Sequence, residues 1–283
     1  MFCALFGISK QAYYKKIKAD QKTIQVREYV MKSVLDLRRQ MPKLGTRKLH
    51  YLLKNKSISI GRDLLFCWLR SQGLLIYKKK RYTVTTNSKH WMRKYPNVIK
   101  DLTINRPEQV WVADITYLDT AENGNAYLHL VTDAYSKQVM GYELCNNMEA
   151  ASTLKALEIA VKGRQYKDQP LIHHSDRGLQ YCSKLYIDFL IKNNVAISMT
   201  ENGSPYDNAV AERVNGILKD EFGLAEQLAN HREALLQVKE SINAYNCLRP
   251  HLSNQMLTPD QMHQQQIIKI RTYKKTQTSL VDV

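Results

Sequence analysis

Acidic residues are nearly absent from the first third of this 283-residue chain. Residues 1–100 hold four Asp/Glu against 24 Lys/Arg, a net of +20, whereas residues 101–283 hold 22 Asp/Glu against 18 Lys/Arg, a net of −4. Solubility requires charge but not charge of one sign. A segment this one-sided repels itself and invites a polyanion, and nucleic acid is the commonest one a basic folded segment meets. Long apolar runs are also missing, which excludes a membrane-spanning helix. Met1 to Gly7 is apolar, but no basic residue precedes it and no small-residue cleavage site follows, so it does not read as a signal peptide. The five cysteines are odd in number, widely spaced and form no CxxC, against both a disulfide framework and a zinc finger. The expectation is an intracellular, reduced chain with no membrane partner. No repeat or low-complexity tract occurs, and 44% hydrophobic residues suffice for a core without staples.

The basic third reads as helices. Ser9 is placed to cap a short helix ending at Lys18, and Val26, Val30, Val34 and Leu37 stripe a longer one over 25–40, stopped by Pro42. Thr46 is expected to cap a helix from Arg47 to Lys54, and Gly61 to precede another from Arg62 to Gln72, stopped by Gly73. Two short helices carrying Arg47, Lys48 and Arg62 and joined by a tight link resemble a helix-turn-helix. Lys78-Lys79-Lys80-Arg81 follows as a basic wing or phosphate-contacting tail. The reading therefore has a partial helix-turn-helix segment at 1–24, a basic DNA-binding domain at 25–82 and a polar linker at 83–107. Beyond it the pattern changes to three strands, helix, strand, helix, strand and two helices, with a Glu122-Asn123-Gly124-Asn125 hairpin signal between the first two strands. That order predicts an α/β fold, a mixed sheet with helices on it, over 108–222, and a helical extension with a basic tail over 223–283.

Three carboxylates stand where a purely structural role is awkward. Asp114 interrupts the apolar strand Trp111-Val112-Ala113-Asp114-Ile115-Thr116-Tyr117-Leu118, where an unpaired charge is costly. Asp176 follows a strand end in His174-Ser175-Asp176-Arg177-Gly178, where open sheets place ligands. Glu212 lies early on an apolar-faced helix. Converging, they would form an all-oxygen site of the kind Mg²⁺ prefers, and two such ions serve phosphodiester chemistry. His173 and His174 lack further ligands at zinc spacing and read as packing or hydrogen-bonding residues. Asp133 reads as a turn cap, and Arg249-Pro250-His251 as an anchor of the C-terminal helix.

These motifs carry a resemblance. Asp114, Asp176 and Glu212, with thirty-five residues between the last two, resemble the catalytic triad of retroviral-integrase-like transposases. Trp111 to Tyr117, His174 to Tyr181, Ser204-Pro205-Tyr206-Asp207-Asn208-Ala209 and Tyr245-Asn246-Cys247-Leu248-Arg249-Pro250-His251 are similar, in order, to insertion-sequence transposases of the IS-three family, second reading frame. The resemblance implies a ribonuclease-H-like integrase core with the three carboxylates as catalytic metal ligands. It also implies two Mg²⁺ ions replaceable by Mn²⁺, double-stranded DNA ends and target as partners, and a homo-oligomer on DNA in the bacterial cytoplasm, at the nucleoid. An upstream-frame protein or fusion is a further expected partner, and the zinc domain of retroviral integrases is missing. Asn208, Asn215 and Lys219 share the helix face of Glu212 and, with Arg213, Arg47, Lys48, Arg62 and Lys78 to Arg81, are the expected DNA contacts. With Gly216 where retroviral integrases carry a Lys, DNA-end contact falls to Lys219 or Arg213. The competing readings are a DNA-binding regulator with an inactive core and a nuclease that only hydrolyses.

Overall fold

The computed structural model describes residues 7–77, 91–122, 124–201 and 208–264. The basic run Lys78 to Arg81, the Ser204-Pro205 loop and the tail beyond 264 lie outside the described residues. The basic third is helical: α1 (Lys10–Gln40), α2 (Thr46–Asn55) and α3 (Arg62–Ser71). The two helices expected on either side of residue 24 are one helix of 31 residues, so the boundary drawn there falls inside a continuous element. No glycine or proline lies between Lys10 and Gln40 to break it. Ser9 caps it as expected, its side chain accepting from the Ala12 N–H at 3.1 Å. Thr46 is not a cap: it is the first helical residue and is buried, and Gly45 occupies the cap position. Val30, Val34 and Leu37 of α1 meet Leu49 and Leu53 of α2 and Leu65 and Leu69 of α3 in one apolar cluster.

The rest is a five-stranded sheet of order β3-β2-β1-β4-β5. β1 (Val110–Thr120), β2 (Gly124–Asp133) and β3 (Val139–Cys145) form an antiparallel meander. β4 (Leu171–Ser175) and β5 (Val195–Met199) add on the other side of β1, parallel to it. This is the ribonuclease-H-like arrangement. α4 (Ala150–Lys162) packs on β3 where Gly141 leaves no room for a Cβ against the backbone of Ala156 and Ala160. α5 (Lys184–Lys192), α6 (Ala209–Phe222) and α7 (His231–Cys247) follow, and a short α8 (Pro259–His263) closes the described chain.

The helical module is fastened to the sheet domain by apolar contact and by buried charge. Its core residues continue into the cluster of Val214, Ile217, Leu218, Val238 and Ile242 from α6 and α7. Lys48 of α2 donates to both carboxylate oxygens of Glu221 on α6, at 2.8 and 3.0 Å, and Arg249 makes a two-pronged pair with the same carboxylate at 2.9 and 2.8 Å. Burial alone would raise Glu221, but Arg249 and Lys48 hold it below the usual carboxylate range. Arg249 thus anchors the segment after α7, as its position in the sequence suggested.

Candidate active site

Strand register sets the first two carboxylates side by side. β1 and β4 pair in parallel with Val112 opposite His174. Asp114 lies two residues beyond that pair on β1 and Asp176 one residue past the end of β4, near enough for their charges to repel. Asp176 leaves β4 in a tight turn: its Oδ1 accepts from the Gly178 N–H at 3.0 Å. A Cβ on Gly178 would stand 3.0 Å from that oxygen, so the turn favours glycine.

The third carboxylate is brought in by α6. Asn208, at the helix start, donates from Nδ2 to the carbonyl of Ala113 at 3.1 Å. Asn215 donates to Asp114 Oδ2 at 2.7 Å. Glu212 lies four residues after the first and three before the second, so its Cβ shares their face, turned toward β1. It is exposed in the first turn of the helix.

The charges interact. Burial, then repulsion from Asp176 and more weakly from Glu212, pushes the Asp114 carboxyl up to about 7, against stabilising bonds from the Ile115 N–H and Asn215. Among the described residues no three His, Cys, Asp or Glu side chains stand close enough to hold one ion together. The donor set is nonetheless all carboxylate oxygen, and its mutual repulsion is what a hard divalent cation relieves.

Tyr181 sits beneath the pair, a residue to which the sequence reading gave no role. Its ring packs edge-on to Tyr186, it is 2% exposed, and its hydroxyl is buried without a partner among the described residues. Burial and then the charges of Asp176 and Asp114 hold the phenol well above its ordinary value, as a neutral group. The signal was present in the sequence only as a tyrosine five residues after Asp176.

Other expectations divide. Asn208 and Asn215, expected as DNA contacts, are buried, and each donates from its amide to β1. Lys48 is also not a free contact, its ammonium being bound to Glu221 with 11% of the side chain exposed. Burial, ahead of repulsion from Arg249, pulls it down to about 8. Arg47, Arg62 and Arg213 are exposed, with Arg62 bonded to Asp63 at 2.9 Å, and Lys219 is half-buried. His173 pairs with the Tyr186 hydroxyl at 2.9 Å and His174 with Ser198 at 2.8 Å, both as buried packing residues. Asp133 caps its turn, accepting from the N–H groups of Glu108, Tyr135 and Ser136 and from the Ser136 hydroxyl.

Two family models, each described as an integrase core domain, match residues 104–205 and 193–259. A Shigella sonnei protein named "Insertion element IS600 uncharacterized 31 kDa protein" is 34% identical over 254 residues, 88% of this chain and 92% of that one. "Transposase InsF for insertion sequence IS3A" of Escherichia coli strain K12 is 33% identical over 195 residues, 68% of this chain and 67% of the other. Among solved structures, the magnesium-bound catalytic core domain of the HTLV-2 integrase (trimeric form) is 19% identical with a TM-score of 0.45, covering 56% of this chain and 97% of that one. No helix among the described residues is long and apolar enough to cross a membrane.

Proposed function

Because the chain belongs to the integrase-core transposases of insertion sequences related to the IS-three family, we propose that it cleaves the ends of an insertion element and joins them to target DNA. What supports this reading is the parallel pairing of β1 and β4, with Val112 opposite His174, together with the repulsion that Asp176 and, more weakly, Glu212 exert on Asp114. These three carboxylates are the proposed ligands of Mg²⁺, with Mn²⁺ as a substitute. Two such ions, when bound, activate a water or 3′-hydroxyl and stabilise the leaving oxygen of a phosphodiester.

The chain's own residues do the positioning. Asn215 fixes the Asp114 carboxylate and Asn208 fixes the start of the helix that carries Glu212. Gly178 holds Asp176 in its turn, and Tyr181 fills the space below with a neutral group. The proposed DNA contacts are Lys219 on the helix face of Glu212, Arg213 on another face of the same helix, Arg47 and Arg62 on the helical module, and Lys78 to Arg81 after it. Residues 25–82 would then bind double-stranded DNA, 108–222 carry the chemistry, and the segment from 223 brace both. Holding two element ends together calls for more than one copy on DNA. The reading places the protein with bacterial DNA, as the relatives' hosts suggest.

The test is strand cleavage and joining on labelled linear DNA carrying the ends that flank the gene. It is run with Mg²⁺, with EDTA and with Glu212→Gln. Metal-dependent joining that Glu212→Gln abolishes is the expected result. Cleavage without joining would make the protein a nuclease. Binding without chemistry, even with the upstream frame fused on, would leave a DNA-binding regulator.

A further inference from the structure

Behind the catalytic helix lies a cavity of about 390 Å³ that the carboxylate site does not use. Ala209, Val210, Arg213, Val214 and Ile217 line it. At about 100° per residue they occupy the face of α6 opposite Asn208, Glu212 and Asn215. The remaining walls come from three other places: Lys48 of α2, Lys137 in the turn between β2 and β3, and Arg249 to Ser253 after α7, without Pro250.

The lining is cationic. Lys48, Lys137, Arg213 and Arg249 face one space, and Glu221, bonded to Lys48 and Arg249, stands behind its floor. Lys137 donates to the carbonyl of Ala134 and has Asp133 near it. Two polar atoms in the floor are buried without partners among the described residues: Arg249 Nη1 and His251 Nε2. Their residues are 2% and 6% exposed. The imidazole of His251 is driven down to about 2 by burial and then by Arg249, Lys48, Lys137 and Arg213, which places all four cations around it. Arg249 Nη1 is a buried donor without an acceptor, which is costly, and an anion supplies that acceptor; the neutral His251 ring has one N–H to offer the same anion. One side of the cavity is apolar, made of Val210, Val214, Ile217 and the 61%-exposed Leu252.

We propose that this cavity seats one phosphate group of a DNA strand, with the attached deoxyribose against the apolar side. The proposal rests on the DNA-processing reading above and adds a site to it. The cavity is large enough for such a unit. Its walls come from the helical module, the catalytic helix and the C-terminal segment, so an occupied cavity ties DNA to all three at once.

The test uses the full chain carrying Glu212→Gln, so that DNA binds without being turned over. Thymidine 5′-monophosphate, thymidine and inorganic phosphate are titrated by calorimetry, with the His251 ring followed by NMR. Expected are binding of the monophosphate that shifts the His251 signal, weaker binding of phosphate, none of thymidine, and displacement of the monophosphate by a DNA duplex with a single-stranded end. Ser253→Asp at the mouth adds an opposing charge and should weaken monophosphate and DNA binding about tenfold. Leu252→Asp provides a second variant at an exposed position should the first fail to fold. The proposal is overturned if neither phosphate nor monophosphate binds a protein that still binds DNA, or if binding ignores both variants and leaves His251 unmoved. Phosphate binding as tightly as the monophosphate would remove the sugar contact, and monophosphate that DNA does not displace would make the site one for free nucleotides. Failure of strand joining by the unsubstituted chain, with these titrations as expected, would remove the proposed function and leave the cavity. Normal joining with no binding in the titrations would do the reverse.

Discussion

Two kinds of carboxylate occur within this domain, and they differ in how fully they are matched. Glu108, Asp133 and Glu221 are surrounded by donors. Glu108 takes Arg164 and the N–H groups of Gln165 and Tyr166, Asp133 takes four donors, and Glu221 takes Lys48 and Arg249. Asp114 instead faces Asp176 and Glu212, whose repulsion adds to burial in raising it; Asp133 is raised as well, but by burial alone, against its four donors. A matched carboxylate contributes to holding the chain together. One set against its own kind waits for a positive charge, and that mismatch is a better guide to chemistry than burial, since Asp133 is the more deeply buried of the two.

Exchanging single residues between the two classes of effect sharpens the contrast. Glu212→Gln or Asp114→Asn should cut strand joining about a thousandfold or more, the loss of several kcal/mol of charge stabilisation. Asp114→Asn should leave the melting temperature unchanged or higher, because it removes repulsion. A large fall in melting temperature would place Asp114 among the structural group. Glu221→Gln should do the opposite, destabilising by about 3–5 kcal/mol in a denaturant titration, since it leaves Lys48 and Arg249 buried without their counter-charge. Asn215→Ala belongs between them. It should lower the joining rate about 10–100-fold and raise the Mg²⁺ concentration needed for half-maximal activity, a shift that a purely structural role would not produce.

The last effect concerns pH. Burial is the main cause that drives His129, His173 and His251 down to about 4, 3 and 2. Below about pH 6.5 the unfolded chain takes up protons that the folded chain refuses, so stability falls as pH drops from there toward the folded values. Each such imidazole costs about 1.4 kcal/mol per pH unit in that window. Melting temperatures at pH 7, 6 and 5 check this, and a flat profile would show that these rings protonate in place.

What was legible in the sequence was what local chemistry specifies. Alternation and turn residues located all five strands, and an aspartate in the middle of an apolar strand marked Asp114 as unusual before any partner was known. The long helix α1 was misread as two because Asp20 to Thr23 is a polar run, and polarity resembles a break when nothing is packed against it. Residues 8–29 of that region are exposed or half-buried throughout. Lys48 looked like a DNA contact because its partner, Glu221, lies 173 residues away in the chain. Asn208 and Asn215 were placed on one face, but their partners on β1 were out of sight. Helical spacing says which residues look the same way, while the carbonyl of Ala113 and the carboxylate of Asp114 decide what they meet. Tyr181 and the cavity behind α6 depend on elements that meet only in the fold.

The bond from Lys48 to Glu221 also bears on any attempt to build chimeras. A helical module moved from one transposase onto the catalytic core of another carries its own residue at this position. If that residue is neutral, Glu221 keeps Arg249 but loses half its donors, at a largely buried junction. The module is therefore not a cassette to be exchanged at a linker boundary. Retargeting by domain exchange would have to carry Lys48, Glu221 and Arg249 across as one inherited set.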